Sequence, residues 1–319
     1  MHKQKGFTLL ELLVAVALGL VIMAAVFKTF KSQQDSYVVQ DQVAAMQQNL
    51  RAAMYVLTRD LQLAGYYSNF DRNPCSIDWD DHDNDNNTST GTESIRPLIY
   101  AGNNVSASGD DIKNNTDTIV IVKAGEEGRT LAAGEEATGG VIKLSSRDLD
   151  GDGQADLNNT TKKFGLLVKS DLRTADFFEV NTASGNITPP GGLSENYTAG
   201  DLIFRADVII YKIDENSTHP SLRRKNLGNN TGFRVIAEDI DNIQFRYQLN
   251  DGTWTDNPTG NEARVRAVEI FMLARTAHTI RGYTDPNTYN FADNPLTNPS
   301  DGYRRKLICS TVKTRNIGL

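Results

Sequence analysis

A long apolar run occupies the N-terminal end of the chain and predicts a membrane-spanning helix. Glu11 is the only charged residue between positions 7 and 27. A helix of about twenty residues, rising 1.5 Å per residue, crosses a hydrocarbon core of roughly 30 Å. Lys3 and Lys5 precede the run, so the excess of positive charge places the N-terminus in the cytoplasm and the rest of the chain outside. An ionised carboxylate inside a bilayer is costly, so Glu11 needs a partner.

A secretory signal peptide is the alternative interpretation of this run. Its apolar core is expected to be shorter and to end at a small-residue cleavage site. Here the helical pattern instead continues through Lys28 and beyond in amphipathic form. Apolar residues recur at spacings of three and four, as on a helix with one buried face, at Val39, Val43, Met46, Leu50, Met54, Leu57 and Leu61.

The pattern predicts one helix over residues 7–64, with its second half packed on a globular head. Gly65 follows it and suits a left-handed C-terminal cap. A heptad coiled coil is the alternative for the second half of this helix. The large C-terminal region makes docking onto a sheet the better interpretation.

The head is rich in clusters of β-branched and aromatic residues, which predict strands. Asp251 and Gly252 lie between two such runs and predict a hairpin turn, because Asp-Gly accommodates positive φ. Long polar stretches around 80–117 and 284–301 are interpreted as surface loops or insertions. The fold class is therefore α+β, with one long helix packed on an enlarged antiparallel β-sheet head whose predicted strands are 118–122, 141–144, 164–168, 207–213, 233–237, 243–249, 265–273 and 306–312.

The start of the chain, Gly6-Phe7-Thr8-Leu9-Leu10-Glu11, resembles the N-terminus of type IV prepilins. The resemblance implies that a prepilin peptidase cuts after Gly6 and methylates Phe7. Glu11 then becomes the fifth residue of the mature chain and pairs with the terminal amine of a neighbouring subunit. A plain membrane anchor with an accidental Glu is the alternative. Lys28 stands where many major pilins carry a helix-breaking Pro, which argues against a bulk filament subunit.

Within the prepilins, the chain resembles the PilW family of large minor pilins most. The resemblance rests on three segments, at residues 59–66, 235–245 and 303–316. It implies a pilin fold and a role in assembly initiation at or near the tip of a type IV pilus, with twitching motility and cell adhesion as the processes served. Two alternatives stay open: a J-type pseudopilin of type II secretion, and a calcium-dependent tip adhesin.

The same resemblance implies a division of the chain, its partners and its location. Residues 1–6 are the leader, 7–64 the helix with a transmembrane segment at 7–30, and 65–319 a periplasmic or extracellular head. The implied partners are other minor and major pilins, the prepilin peptidase, the inner-membrane assembly platform, and membrane lipid before assembly. The protein is expected in the inner membrane as a single-pass protein and then in the pilus, from periplasm to cell surface.

The two cysteines fit an exported head. Cys75 follows the helix and Cys309 lies in the last predicted strand. An oxidising compartment favours a disulfide between them. Two unrelated thiols are the alternative, because the sequence does not show that their Cα atoms approach within bonding range.

An acidic loop is the most chemical motif in the head. Carboxylates stand at positions one, three, five and nine of the segment 148–156, with Gly153 at position six. Alternating hard oxygens that converge around a Gly turn are typical of a calcium loop. Asn159 replaces the bidentate Glu expected at position twelve, and a solvated acidic turn is the alternative. The predicted ligands are Asp148, Asp150, Asp152, Gln154 and Asp156.

Composition argues against catalysis and against nucleic-acid binding. The four His residues are isolated in the sequence, and the motifs of hydrolases, phosphate loops and dinucleotide sites are absent. Loss of the leader with Lys3 and Lys5 leaves 31 basic against 40 acidic residues, a net charge of −9. Such a surface repels phosphate backbones. The basic C-terminal cluster 304–315 is interpreted as alternating charge on an exposed strand.

Overall fold

A computed structural model describes a long helix followed by strands. The described residues are 8–65, 75–78, 92–95, 99–105, 112–160, 164–189, 192–214, 218–228 and 232–314. Helix α1 spans Leu9–Leu63, and its 55 residues extend over about 80 Å. Thr8 is the N-cap, so the helix begins at Leu9. Gly65 has the positive φ of +69° that the sequence predicts. Its backbone N–H donates to the Val122 carbonyl oxygen at 2.9 Å, which ties the helix exit to the head.

Strands make up the rest of the described head, and the α+β class is confirmed. Each of the eight predicted segments coincides with or overlaps a strand, and 164–168 agrees to the residue. The strands are β1 (Cys75–Asp78), β2 (Thr92–Ile95), β3 (Ile99–Val105), β4 (Thr116–Thr130), β5 (Glu136–Thr138), β6 (Val141–Lys143), β7 (Phe164–Val168), β8 (Ala175–Glu179), β9 (Leu202–Ile213), β10 (Leu222–Asn226), β11 (Arg234–Ala237), β12 (Ile240–Leu249), β13 (Trp254–Thr255), β14 (Val265–Arg275), β15 (Thr288–Tyr289), β16 (Leu296–Thr297) and β17 (Arg305–Lys313).

Two antiparallel sheets dominate the head. The larger has the order β11-β10-β9-β4-β3, and β7 adds to β9 and carries β8. The smaller has the order β13-β12-β14-β17. The predicted hairpin at Asp251 and Gly252 is confirmed, because Tyr247 pairs with Thr255 across the turn and Gly252 has φ +85°. Three small hairpins, β1-β2, β5-β6 and β15-β16, complete the described strands.

The second half of α1 lies over both sheets and shares one apolar core with them. Met46, Leu50, Ala53, Leu57 and Leu61 are at most 4 % exposed. They pack with the inner faces of β4, β9, β12 and β14, through residues that include Ile119, Ile121, Ile209, Tyr211, Phe245, Val268 and Ile270. The predicted apolar stripe is thus the buried face of the helix, which favours docking on a sheet over a coiled coil.

A buried charge cluster fixes this docking at the end of the helix. Asp60 is 5 % exposed on the apolar face of α1. Its carboxylate accepts from Lys123 Nζ at 3.1 Å, from Arg224 Nε at 2.9 Å and from Tyr211 Oη at 2.5 Å. Burial alone raises the pKa of Asp60, but the hydrogen bonds from Arg224 and Tyr211 and the charge of Lys123 hold it below its usual value. The three partners come from β4, β9 and β10, so one carboxylate joins the helix to three adjacent strands.

The stretch 284–301 was predicted to be a surface loop, and this prediction is wrong in part. Asp285, within this stretch, is fully buried. It pairs with Arg305 of the last strand, which has only 3 % of its side chain exposed. The Arg305 guanidinium pairs with Asp241 at 2.7 Å, with Asp285 at 3.3 Å and with Asp301 at 2.6 Å. The prediction of an exposed strand therefore also fails at Arg305. Burial of polar residues depends on long-range ion pairs that hydropathy does not reveal.

The predicted loop at 80–117 is likewise corrected where the structure describes it. The strands β2 and β3 lie inside this range, and β3 pairs with β4 through Gly102 and Thr118. Strand β3 contains Gly and Asn residues that disfavour strands when taken alone. Pairing with the apolar strand β4 overrides this local preference.

Replacing Asp60 tests the docking cluster. Asp60→Asn keeps the shape of the side chain but leaves Lys123 and Arg224 without their counter-charge. We expect the free energy of unfolding to fall by about 2–3 kcal/mol, since both cations stay partly solvated. Denaturant unfolding of the full-length protein in detergent measures this loss. The matched control is Asp41→Asn, an exposed acid on the same helix, which should leave stability unchanged; equal effects of the two variants would refute the role of the cluster.

The buried carboxyl group of Asp117 is expected to make the stability of the protein depend on pH. Its carboxylate is 2 % exposed and accepts from the Asn104 and Phe245 backbone N–H groups at 2.9 and 2.7 Å. Burial, with the charges of Asp293 and Asp256, raises the pKa of Asp117 to about 7. An unfolded Asp titrates near 3.9, so the folded state holds this proton more tightly. The stabilisation that this tighter proton binding gives the folded state is complete below about pH 4 and is lost as pH rises through 7.

The measurement is the free energy of unfolding between pH 5 and 8. We expect it to decrease across this range in the wild-type protein and to vary less in Asp117→Asn, whose side chain does not titrate. A wild-type stability that is independent of pH, or an unchanged slope in the variant, would contradict the assignment.

Candidate functional site

The candidate assembly site is the start of α1, where Glu11 lies in the first turn of the helix. Thr8 and Glu11 form a capping box: the Thr8 backbone N–H and hydroxyl donate to Glu11 Oε2 at 2.9 and 3.0 Å, and the Glu11 N–H donates to Thr8 Oγ1 at 3.3 Å. Such a box satisfies backbone donors that a helix N-terminus leaves open. Gly6 and Phe7, the predicted processing residues, lie outside the described residues. Their roles therefore stay predictions.

Glu11 keeps binding capacity for a second group. Within the described part of the chain, its hydrogen bonds go to Thr8 and through Oε2 alone. A carboxylate offers two oxygens with about four acceptor positions. The geometry is therefore compatible with an additional cationic donor at Oε1.

Every residue in the apolar half of α1 is exposed in the isolated chain. Leu20 and Phe27 are 65 % and 67 % exposed, in contrast to Leu50 and Leu57 one half-helix later. By length and composition this half can cross a membrane, and its most apolar 18-residue stretch has no residue buried inside the protein. A large exposed apolar surface of this kind requires lipid or neighbouring protein to cover it.

The acidic loop brings part of the predicted calcium ligand set together. One carboxylate oxygen each from Asp148, Asp150 and Asp156 lies within 4.8 Å of the others. Asp152 does not belong to this group, and its Oδ1 accepts from the Gln154 backbone N–H at 2.7 Å. Whether Asp152 and the Gln154 oxygen complete the set stays a prediction.

Backbone donors shape this loop. The Asp148 carboxylate accepts from the N–H groups of Gly153 and Gly151 at 2.9 and 2.6 Å, and these bonds lower its pKa. Both glycines have positive φ, +88° and +85°, which allows the chain to fold around the carboxylate. Asp156 is fully buried and accepts from the Leu149 N–H at 2.8 Å. The loop is therefore held in a closed shape by its own backbone, with oxygen ligands of the type that calcium prefers.

The structure describes the side chain of only one of the two cysteines in the predicted disulfide. Cys309 is an exposed free thiol whose Sγ donates to Glu269 Oε1 at 3.3 Å. Burial raises the pKa of Cys309 to about 11, and Glu269 adds to the effect. The side chain of Cys75 lies outside the described residues. The disulfide between Cys75 and Cys309 remains a prediction.

The sequence predicts that the helix docks on a sheet but does not identify the strands that hold it, which we call the cradle. It consists of β11, β14, β17 and β4, all of which contact α1. Two polar contacts supplement the apolar core: Asn49 Nδ2 donates to the Glu238 carbonyl at 3.2 Å, and the His278 N–H donates to Gln42 Oε1 at 3.3 Å. The position of Asp60 on the apolar stripe, three residues after Leu57, could have indicated a buried carboxylate. No pattern in the sequence indicates that Arg224 is its partner.

Comparison with known proteins locates two family regions in this chain. The model of the prokaryotic N-terminal methylation motif matches residues 1–27. The model of Type IV Pilus-assembly protein W (PilW) matches residues 210–316. This second region contains β10 to β17, and therefore β11, β14 and β17 of the cradle. The segments 235–245 and 303–316 lie inside it, whereas the segment 59–66 lies outside both regions.

Comparison with solved structures also finds similar chains, and one of them is a pilin. A type IV-like pilin from Thermus thermophilus is 12 % identical, with a TM-score of 0.34, over 85 % of this chain and 97 % of that chain. No curated protein matches the sequence. The chain is thus similar to type IV pilins in two regions, the prokaryotic N-terminal methylation motif at its start and the PilW region in its C-terminal third.

Proposed function

We propose that this protein is a minor pilin of a type IV pilus, processed after Gly6 and active in assembly initiation at or near the filament tip. The observation that carries the proposal is the contrast along α1. Its first half is uncovered and apolar, while its second half is locked to a large head. A subunit of this shape passes from lipid into a filament core by exchanging one apolar environment for another.

In this proposal Glu11 sets the axial position of the subunit relative to its neighbour in the filament. Cleavage after Gly6 creates a terminal amine on each neighbouring subunit, and an apolar surrounding strengthens its attraction to a carboxylate. Because Thr8 already holds Glu11 Oε2, the carboxylate is oriented before the partner arrives. Pairing inside the filament then compensates the charge that is costly to bury in isolation.

The size of the head supports a tip position. About 250 residues follow the helix. Such a volume hinders repeated incorporation along a shaft, and the PilW match supports a pilus-assembly role. Enzymatic activity is not proposed, since the pilin family is structural.

Substitutions at Glu11 separate charge pairing from helix capping. Glu11→Ala should leave membrane insertion and cleavage intact but reduce surface piliation severely. Glu11→Gln should be equally defective, because it keeps an acceptor for Thr8 but has no charge. The readouts are mature chain length by mass spectrometry and pilin recovered by shearing.

Thr8→Ala is the matched control, because it weakens the cap by about 1 kcal/mol and keeps the carboxylate. We expect nearly normal piliation. Normal piliation in Glu11→Gln, or a defect in Thr8→Ala as large as that in Glu11→Ala, would contradict the register role.

We further propose that the acidic loop binds one calcium ion with a structural role. Calcium takes six to eight oxygen ligands and would offset the repulsion among Asp148, Asp150 and Asp156. Leu149 and Leu157, which flank the ligands, belong to an apolar cluster with Ile142, Phe178 and Tyr197. An ion here would therefore stabilise the part of the head that lies outside the PilW region.

Isothermal titration of the full-length protein with calcium tests this site. We expect one binding event in the wild type, its loss in Asp150→Ala, and a smaller decrease in affinity in Asp152→Ala, whose carboxylate lies outside the close group. The control is Asp171→Ala, an exposed acid on another loop, which should bind normally. Flat titrations for the wild type would dismiss the site.

A further inference from the structure

A basic groove lies between α1 and the head, on the side where the apolar half of the helix ends. Its volume is about 790 Å³. Four cations line it, Lys28 and Lys31 from the helix and Arg281 and Arg304 from the head, together with one acid, Asp35. We call this cavity the basic groove.

The head side of the groove has a fixed backbone. Two segments, 276–283 and 302–304, are joined by hydrogen bonds from the Thr276 N–H to the Arg304 carbonyl and from the Ile280 N–H to the Gly302 carbonyl, each 2.8 Å long. A side chain at Gly302 would bring its Cβ within 2.9 Å of Thr279 Cβ, so the segments are in close contact. They therefore present Arg281 and Arg304 from one rigid edge.

The side chains themselves remain available. Arg304 lies over the ring of Tyr283, with 5.1 Å from guanidinium to ring centroid, and is exposed. Arg281 is also exposed, next to Gly282 at φ +74°. Stacking on an aromatic ring limits the motion of a guanidinium without using its hydrogen-bond donors.

The helix side of the groove lies at the end of the apolar run. Lys28 follows Phe27 directly, and Lys31 is one turn later, on the same side of the helix. At 1.5 Å per residue, both lie within roughly 6 Å of the end of the run along the helix axis. In a membrane-inserted chain the groove therefore lies at the level of the lipid headgroups.

The charge of the groove runs against that of the whole molecule. The full chain carries −7, yet the groove has four cations and one carboxylate. Within the described part of the chain, none of the four cations has a carboxylate oxygen within 4.0 Å. Basic residues are also depleted next to the outer end of a transmembrane helix. An external anion would resolve both features.

We propose that the basic groove binds the phosphate headgroup of an anionic phospholipid in the outer leaflet of the inner membrane. This inference rests on the proposed membrane anchoring of α1. Arginine donates two hydrogen bonds to one phosphate, and basic residues near an anionic membrane surface are attracted to it. The bound lipid would hold the head against the membrane until the subunit enters a filament, where it leaves the lipid.

Native mass spectrometry of the full-length protein in detergent tests the proposal. Phosphatidylglycerol or phosphatidylcholine with identical acyl chains is added, and the retained lipid is counted. We expect the wild type to prefer phosphatidylglycerol, and Arg281→Gln/Arg304→Gln to lose roughly tenfold or more in affinity for it. The control Arg173→Gln/Lys313→Gln removes two exposed cations outside the groove and should bind like the wild type.

The other outcomes are distinguishable. Equal phosphatidylglycerol retention in the groove variant and in the control overturns the inference. Displacement of the lipid by inorganic phosphate at equal concentration shows a free-phosphate site, and a change in oligomer mass without lipid preference shows a protein interface; both overturn it. Carbonate extraction of membranes is run in parallel. A wild-type chain that is extracted overturns the membrane anchoring itself, whereas an inserted chain without headgroup preference overturns the inference alone.

Discussion

The attachment of the amphipathic half of α1 to the head is the constraint on which the rest of the structure depends. Apolar packing by Leu50, Leu57 and Leu61 supplies the adhesion, and it is not directional. The carboxylate of Asp60 adds direction, because three donors from three strands meet it at fixed distances. A buried charge that loses its partners is strongly destabilising, so sliding or rotation of the helix is penalised. The exposed apolar half of the helix therefore points away from the head at a defined angle.

The described head has one part that contacts the helix and another that forms its own apolar cluster. The region 210–316, which matches the PilW model, supplies most of the cradle, the Arg224 partner of Asp60, and the ion pairs of Arg305. The segment between β4 and β9 builds a separate apolar cluster, to which Leu149 and Leu157 of the acidic loop region belong.

Local patterns predicted much of this architecture, and their failures have a common cause. The period of apolar residues defined the buried face of α1, and the run Phe164–Val168 is apolar enough to define β7 to the residue. Strand β10 reads Leu-Arg-Arg-Lys-Asn and carries no strand signal, yet it pairs with β9 and β11. Its Arg224 meets Asp60 across 164 positions of sequence. Contacts at that separation are decided by the tertiary fold, and a single sequence does not encode them in any local window.

The central claim is that the chain enters a filament through its N-terminal helix and that its large head restricts it to the end. Immunogold labelling of sheared filaments from cells with an epitope on the head, combined with quantitative mass spectrometry of the same filaments, measures this directly. The account predicts a chain that lacks residues 1–6, labels one end of each filament, and has a copy number independent of filament length. Label distributed along the shaft in proportion to length, or a chain recovered only in the membrane fraction, would contradict it.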